Sequence, residues 1–270
     1  MKEDERVKAG ELLERFLSRA PWVDRSETVD RIIVGDPDKE VDRCLVTWMP
    51  SFAALREAAR RNIELIICHE PTFWDHWDKA PETKPRCAEK LRFIRDHGLV
   101  ILRNHDCWDG WPEVGIPWTW AEFLGLEGKP AAEGPKGFQK RYDIKPVAFG
   151  AFAAEVARRT AAVGEPVIQT VGDPKKPVSK IGIGTGCYCN VFTYVEMGCD
   201  CCVVCDDGGW YWEGMQYAED VGLPVIRVNH GTSEEAGMVS LTRYINEHVE
   251  GLTAEHLPQG CRYRAVGRTD

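Results

Sequence analysis

Short apolar runs alternate with amphipathic stretches along the chain, and they do so twice. Residues 42–47 and 180–184 are brief apolar runs that predict strands. Helix-compatible stretches follow them at 51–61 and 190–197. Residues 64–68 and 201–205 are apolar almost without a break, the pattern of strands covered on both faces. Second helices are predicted at 84–97 and 210–221, and third strands at 100–104 and 224–229. Strands and helices alternating at this length imply mostly parallel sheets with helical crossovers. Around this core an N-terminal amphipathic helix is expected, with Val7, Leu12, Leu13, Phe16 and Leu17 inward. A Gly/Pro/Lys-rich link near 128–140 and a helix around 147–163 lead into the second half.

The alternation is accompanied by a sequence repeat. Val34-Gly35-Asp36-Pro37 returns as Val171-Gly172-Asp173-Pro174. At the same offset Leu65-Ile66-Ile67-Cys68 lies over Cys202-Val203-Val204-Cys205, and His69-Glu70 over Asp206-Asp207. After a shortening of the offset, Asn104-His105 meets Asn229-His230, and Asp109 and Glu234 each follow their histidine by four residues. A matched set of this extent points to an internal duplication. The expected fold is α/β, two similar halves at 1–130 and 131–270.

Composition narrows the functional classes. The chain has 270 residues, with 34 Lys and Arg against 43 Asp and Glu, a net charge of −9. That balance argues against a protein whose affinity comes from neutralising nucleic-acid phosphates. The longest uncharged run, 181–195, is shorter than the roughly 18 residues of a membrane-spanning helix. Met1-Lys2-Glu3-Asp4-Glu5-Arg6 offers no apolar signal-peptide core, and eleven cysteines in such a chain suit reduced thiols. A cytoplasmic protein is expected.

Ligands collect beyond the C-terminal ends of parallel strands, and three predicted strands end in potential metal ligands. The 64–68 strand runs into His69-Glu70, the 100–104 strand into His105-Asp106 with Asp109 beyond, and the 224–229 strand into His230 with Glu234 beyond. Thr232 and Glu235 have the spacing of a capping box. On that reading His230 lies just before a helix and Glu234 in its first turn. Imidazoles with carboxylates suit zinc, manganese or iron. The zincin motif is absent, because Phe73 stands where HExxH needs a histidine.

These segments (VGDPDKEV, IELIICHEPTFW, ILRNHDCWD and PVIRVNHGTSEEAG) resemble the NIF-three-like family, Ngg-interacting factor three, over nearly the whole chain. The family also carries the names dinuclear-metal hexameric protein and GTP cyclohydrolase one type two. The resemblance implies a homohexameric toroid with two divalent ions per chain facing an internal cavity. By position it implies His69, Asp109, His230 and Glu234 as ligands. Glu70 stands where the family commonly has a second adjacent histidine; it can ligate through oxygen, or His76 can supply the imidazole. His105 also matches a family histidine, read as a supporting residue or general base.

Two ions would favour hydrolysis of a small, nucleotide-like substrate. The alternative is a non-catalytic, metal-stabilised oligomer acting through protein partners. Other features leave their readings open. Cysteines 187, 189, 199, 201, 202 and 205 suit buried packing better than a thiolate site. Gly182-Ile183-Gly184-Thr185-Gly186 is a tight turn or an anion-holding loop, although the dinucleotide fingerprint fails at Cys187. Trp74, Trp77, Trp108, Trp111, Trp118, Trp120, Trp210 and Trp212 line a pocket or anchor subunit contacts.

Overall fold

The computed structural model describes residues 6–78 and 84–266. It forms two compact units, Met1–Gly115 with Gly237–Gln259, and Ile116–Ala236 with Gly260–Asp270. The first is built on a five-stranded sheet in the order Thr253–His256, Arg43–Thr47, Leu65–Cys68, Val100–Arg103, Arg31–Val34. The first four strands are parallel and the last pairs antiparallel. Leu65–Cys68 and Val100–Arg103 are buried at every position, which is why, Arg103 apart, they read as apolar runs. Leu45, Ile66 and Ile101 of the sheet pack with Leu55 and Ala58 of the Phe52–Arg61 helix and Ile94 of the Cys87–Asp96 helix. Ser51 caps the first of these helices by accepting the Ala54 N–H, and Asn62 ends it in the left-handed conformation.

The N-terminal helix, Ala9–Ser18, buries Ala9, Leu12, Phe16 and Leu17. Val7 lies instead in a short strand opposite Val41, and Leu13 is half-buried.

The second unit holds a six-stranded sheet in the order Ala132–Glu133, Lys140–Ala148, Pro177–Ile183, Cys201–Cys205, Val225–Val228, Gln169–Val171. Its third to fifth strands are parallel and end on an antiparallel edge strand, Gln169–Val171. The first unit has the same arrangement ending on Arg31–Val34, and in both the edge strand comes before its parallel partners in the chain. The repeated Val-Gly-Asp-Pro turn follows the edge strand each time. Gly35 and Gly172 have φ of 105° and 107°, a conformation that needs glycine. Asp36 accepts the Asp38 N–H at 2.9 Å, and Asp173 accepts the Lys175 N–H at 2.9 Å. The carbonyls of Pro37 and Pro174 receive the N–H groups of Gly10 and Gly150, at 2.7 and 2.8 Å.

The division of the chain differs from 1–130 and 131–270 in two places. Residues from Ile116 belong to the second unit, where Trp120 and Ala121 enter the core with Phe149, Val156 and Ile181. Gly237–Gln259 belongs to the first, because Thr253–His256 adds to the sheet beside Arg43–Thr47. The expected link and helix around 128–163 include a nine-residue strand, Lys140–Ala148, before the Phe149–Ala161 helix. That strand is exposed or half-buried at most positions, so it carries no apolar run to betray it. Among the described residues no helix is long and apolar enough to cross a membrane.

All eleven cysteines are free thiols and nine are buried; Cys187 is exposed and Cys261 half-buried. The Cys201–Cys205 run is a fully buried strand, as the packing reading expects. Burial pushes the Cys68 thiol from 9.0 up to about 12. Unfolding exposes it, so the stability held in the protonated thiol is intact below about pH 9 and falls as the pH rises towards 12. For this thiol alone the loss reaches ~1.4 kcal/mol by about pH 10. Urea unfolding under reductant at about pH 8 and about pH 10 should therefore show a smaller pH-dependent loss in Cys68→Ala than in the native chain.

Candidate metal centre

In the first unit, two parallel strands bring their last residues side by side. The Asn104 N–H donates to the Cys68 carbonyl at 2.9 Å, and the His69 N–H to the Trp48 carbonyl at 3.1 Å. The backbone is thereby fixed where each strand gives way to a histidine. The rings of His69 and His105 stack at 4.3 Å with an interplanar angle of 12°. Asp109 reaches both, its Oδ1 lying 3.5 Å from His69 Nε2 and its Oδ2 3.3 Å from His105 Nδ1. One donor atom of each of these three residues lies within 4.8 Å of the others. Metal–ligand bonds of about 2.0–2.2 Å put opposed donors roughly 4 Å apart, so small side-chain movements let these groups share one ion. Two imidazoles and a carboxylate are a donor set suited to zinc, manganese or iron. The residues fit the group.

The surroundings orient this trio. His69 Nδ1 lies 3.4 Å from the Asn104 carbonyl, which fixes the ring from behind. His105 Nδ1 lies 2.9 Å from Asp106 Oδ1, and Asp106 in turn accepts the Thr28 hydroxyl at 2.7 Å. Burial works against charge on the His105 ring, but Asp109 and the Asp106 hydrogen bond outweigh it and lift its pKa to about 9. Asp30, 3% exposed, accepts the backbone N–H groups of His105 and Cys107. Burial, with Asp106 close by, pushes the Asp30 carboxyl upward. His76 meets His105 edge-on at 5.7 Å, and desolvation, Arg103 and His105 hold its pKa down.

Glu70 lies against a cation. Arg103 is fully buried, and its Nη2 is 3.3 Å from Glu70 Oε2. Its Nε donates to the His69 carbonyl at 2.9 Å and its Nη1 to the His76 carbonyl. One guanidinium therefore ties both ends of the 69–76 segment to the end of the Val100–Arg103 strand.

In the second unit, His230 and Glu234 are four residues apart within one helix, His230–His248. This corrects the capping-box reading: the helix already includes Thr232, and the Ser233 N–H donates to the Asn229 carbonyl at 3.2 Å. The i, i+4 spacing places His230 Nε2 3.0 Å from Glu234 Oε1. Glu234 is buried, and Asp207 Oδ2 lies 3.7 Å from His230 Nδ1. Asp206 holds the helix start by accepting the His230 N–H at 2.6 Å and the Asn229 side-chain amide at 3.3 Å. Glu165 accepts the Asn229 N–H through both oxygens, at 2.9 and 3.0 Å.

Of the residues expected at the site, His69, His105 and Asp109 come together in one unit and His230 with Glu234 in the other. His105, expected beside the ligands, has a nitrogen within their range. Arg103, Asp30 and Glu165 escaped the sequence reading. Arg103 alone left a trace there, as a cation closing an otherwise apolar strand. The tryptophans divide: Trp108, Trp111 and Trp120 are buried, whereas Trp74, Trp77, Trp210 and Trp212 are exposed.

An α/β protein whose parallel strands end in histidine–carboxylate groups is the class this arrangement defines. The chain belongs to the Duf34/NIF3 (NGG1p interacting factor 3) family, whose model matches residues 9–258. Solved structures share the fold. A Staphylococcus aureus hypothetical protein, SA1388, superposes with a TM-score of 0.79 at 17% identity, over 97% of this chain and 100% of that one. The protein ybgI, described as of unknown function, gives 0.78 at 19% identity, over 94% and 100%. Reduced HcgD from Methanocaldococcus jannaschii gives 0.70 at 19% identity, over 94% and 99%. No curated protein matches the chain.

Removing the Arg103 charge leaves two carbonyls without their donor. Arg103→Met should lower unfolding stability by about 3–5 kcal/mol, the cost of breaking a buried ionic arrangement from one side. Urea denaturation gives the value, and a loss under about 1 kcal/mol would deny Arg103 this organising role.

Proposed function

We propose that this protein binds two divalent metal ions and uses them to hydrolyse a small, nucleotide-like substrate. The observation that carries the reading is the stacked His69–His105 pair with Asp109 against both rings. In this reading His69, Glu70, Asp109, His230 and Glu234 are the ligands. Divalent ions supply Lewis acidity, lowering the pKa of water and polarising the bond to be cleaved. His105 moves the proton, its ring oriented by Asp106 and its basicity raised by Asp109. Arg103 holds Glu70 in place through its guanidinium. Family membership adds the expectation of a homohexamer.

Metal content per chain, measured by mass spectrometry on protein purified without chelator, tests the ligand set. Glu234→Gln should keep the fold and lose at least one of about two ions, because a neutral amide is a poor ligand for these metals. His105→Gln separates the two roles open to that residue. As a proton carrier it should retain its metal while kcat on nucleotides or phosphoesters falls about 100-fold or more. Loss of the metal would make His105 a ligand instead.

A second reading, a metal-stabilised scaffold acting through protein partners, draws on the exposed aromatic run Trp210, Tyr211 and Trp212, with exposures of 56%, 73% and 71%. It requires that chelation dissociate or unfold the assembly. Light scattering and thermal melting before and after mild chelation decide it, and an unchanged size and Tm would remove it.

A further inference from the structure

A cavity of about 190 Å³ opens in the second unit, where the start of the Val191–Glu196 helix faces the segment that follows the Cys201–Cys205 strand. Phe192 and Trp210 give it aromatic walls, and Asp207 and Glu213 are the charged groups on its border. Among the described residues no Lys, Arg or His lines it.

Both rings are exposed, at 43% and 56%, yet each is held in place. Phe192 rests on Tyr217 with ring centroids 4.7 Å apart. The Trp210 indole N–H donates to the Asp207 carbonyl at 2.8 Å, so the ring has only its π surface left to offer. Glu213 lies in Tyr211–Gln216, a short π-helix in which the Met215 N–H reaches back five residues to the Trp210 carbonyl at 3.1 Å. Such wide turns are rare and recur at functional sites. Asn190 completes the wall. As the helix cap its Oδ1 accepts the Phe192 N–H at 2.9 Å and the Thr193 N–H at 3.4 Å, which turns its amide nitrogen away from the helix.

We infer that this cavity binds the guanidinium group of a small molecule. Aromatic faces attract a cation through the ring quadrupole, and a planar cation stacks on them. Carboxylates that lose water need hydrogen-bond donors in its place. A guanidinium supplies them as a fork, whereas a quaternary ammonium has none. The volume falls short of the ~300 Å³ or more of a pocket for a whole drug-sized ligand, and suits a head group on a short stem. The site goes beyond the metal-binding reading, since none of Phe192, Trp210, Asp207 and Glu213 is among the ligands proposed above.

The probe is N-methylguanidinium, titrated at low salt and followed by the NMR shift of its methyl signal. Ring currents from the two aromatic walls should move that signal upfield, with a Kd of about 1 mM. N-methylurea, of the same shape without the charge, should bind at least ~10-fold more weakly. Trp210→Leu combined with Glu213→Gln should weaken the cation about 10-fold, with circular dichroism and metal content unchanged. Asn190→Asp keeps the helix cap and adds a carboxylate to the wall, so it should tighten binding about 3-fold. A blocked arginine tripeptide should bind no more tightly than N-methylguanidinium. Binding tighter by ~10-fold or more would overturn the small-molecule source in favour of a partner protein's arginine. The absence of a saturable shift, equal binding of N-methylurea, a double variant that binds like the native chain, or weaker binding in Asn190→Asp overturns the site. A chain that takes up no metal but keeps these shifts overturns only the metal reading.

Discussion

The first unit's site depends on a buried cation. Arg103 has no contact with water, and a guanidinium in that position is tolerable only if fully engaged by acceptors. It finds them in the His69 and His76 carbonyls and the Glu70 carboxylate, all on the segment that leaves the Leu65–Cys68 strand. One side chain thus fixes the exit of the neighbouring strand, the direction of His69 and the position of Glu70. Carboxylates outnumber this charge locally: Asp30, Glu70, Asp106 and Asp109 all lie near the two stacked imidazoles. The same excess that holds a proton on His105 is what a divalent cation would neutralise.

The strand ends were legible because parallel strands buried on both faces read as apolar runs, so the first polar residue after each run stands out. His69, His105 and His230 were all found this way. The four-residue spacing of His105–Asp109 and His230–Glu234 was also visible, but its meaning was not. Read as a capping box, Thr232 and Glu235 placed the second pair across a helix boundary. The structure places it within the helix, where i and i+4 share a face and the two side chains meet.

What escaped depends on contacts distant in sequence. Asp30 reaches His105 across 75 positions, and Glu165 reaches Asn229 across 64. No local pattern marks an acid as the acceptor for a remote backbone amide. The Lys140–Ala148 strand was hidden for a different reason: it is held by its ladder to Pro177–Ile183 and buries few of its side chains. Likewise, Thr253–His256 joins the first sheet through pairing that no apolar run announces.

The two units solve one problem with different chemistry. Each fixes the segment that follows a parallel strand, on which its histidine lies. The first uses a buried charge on carbonyl groups. The second has no counterpart of Arg103, since the register of the sequence repeat brings Val228 to that position. It relies instead on close packing: Gly182 and Gly184 admit Tyr194, and the Cys205 thiol donates to the Gly186 carbonyl. Cysteine suits that place because it is small, apolar and still a weak donor. Valine would forfeit the hydrogen bond, and serine would bring a more strongly hydrated hydroxyl into the core. The cysteines that resemble a metal motif in the sequence therefore act as packing beneath the glycine segment, beside the close pair of His230 and Glu234.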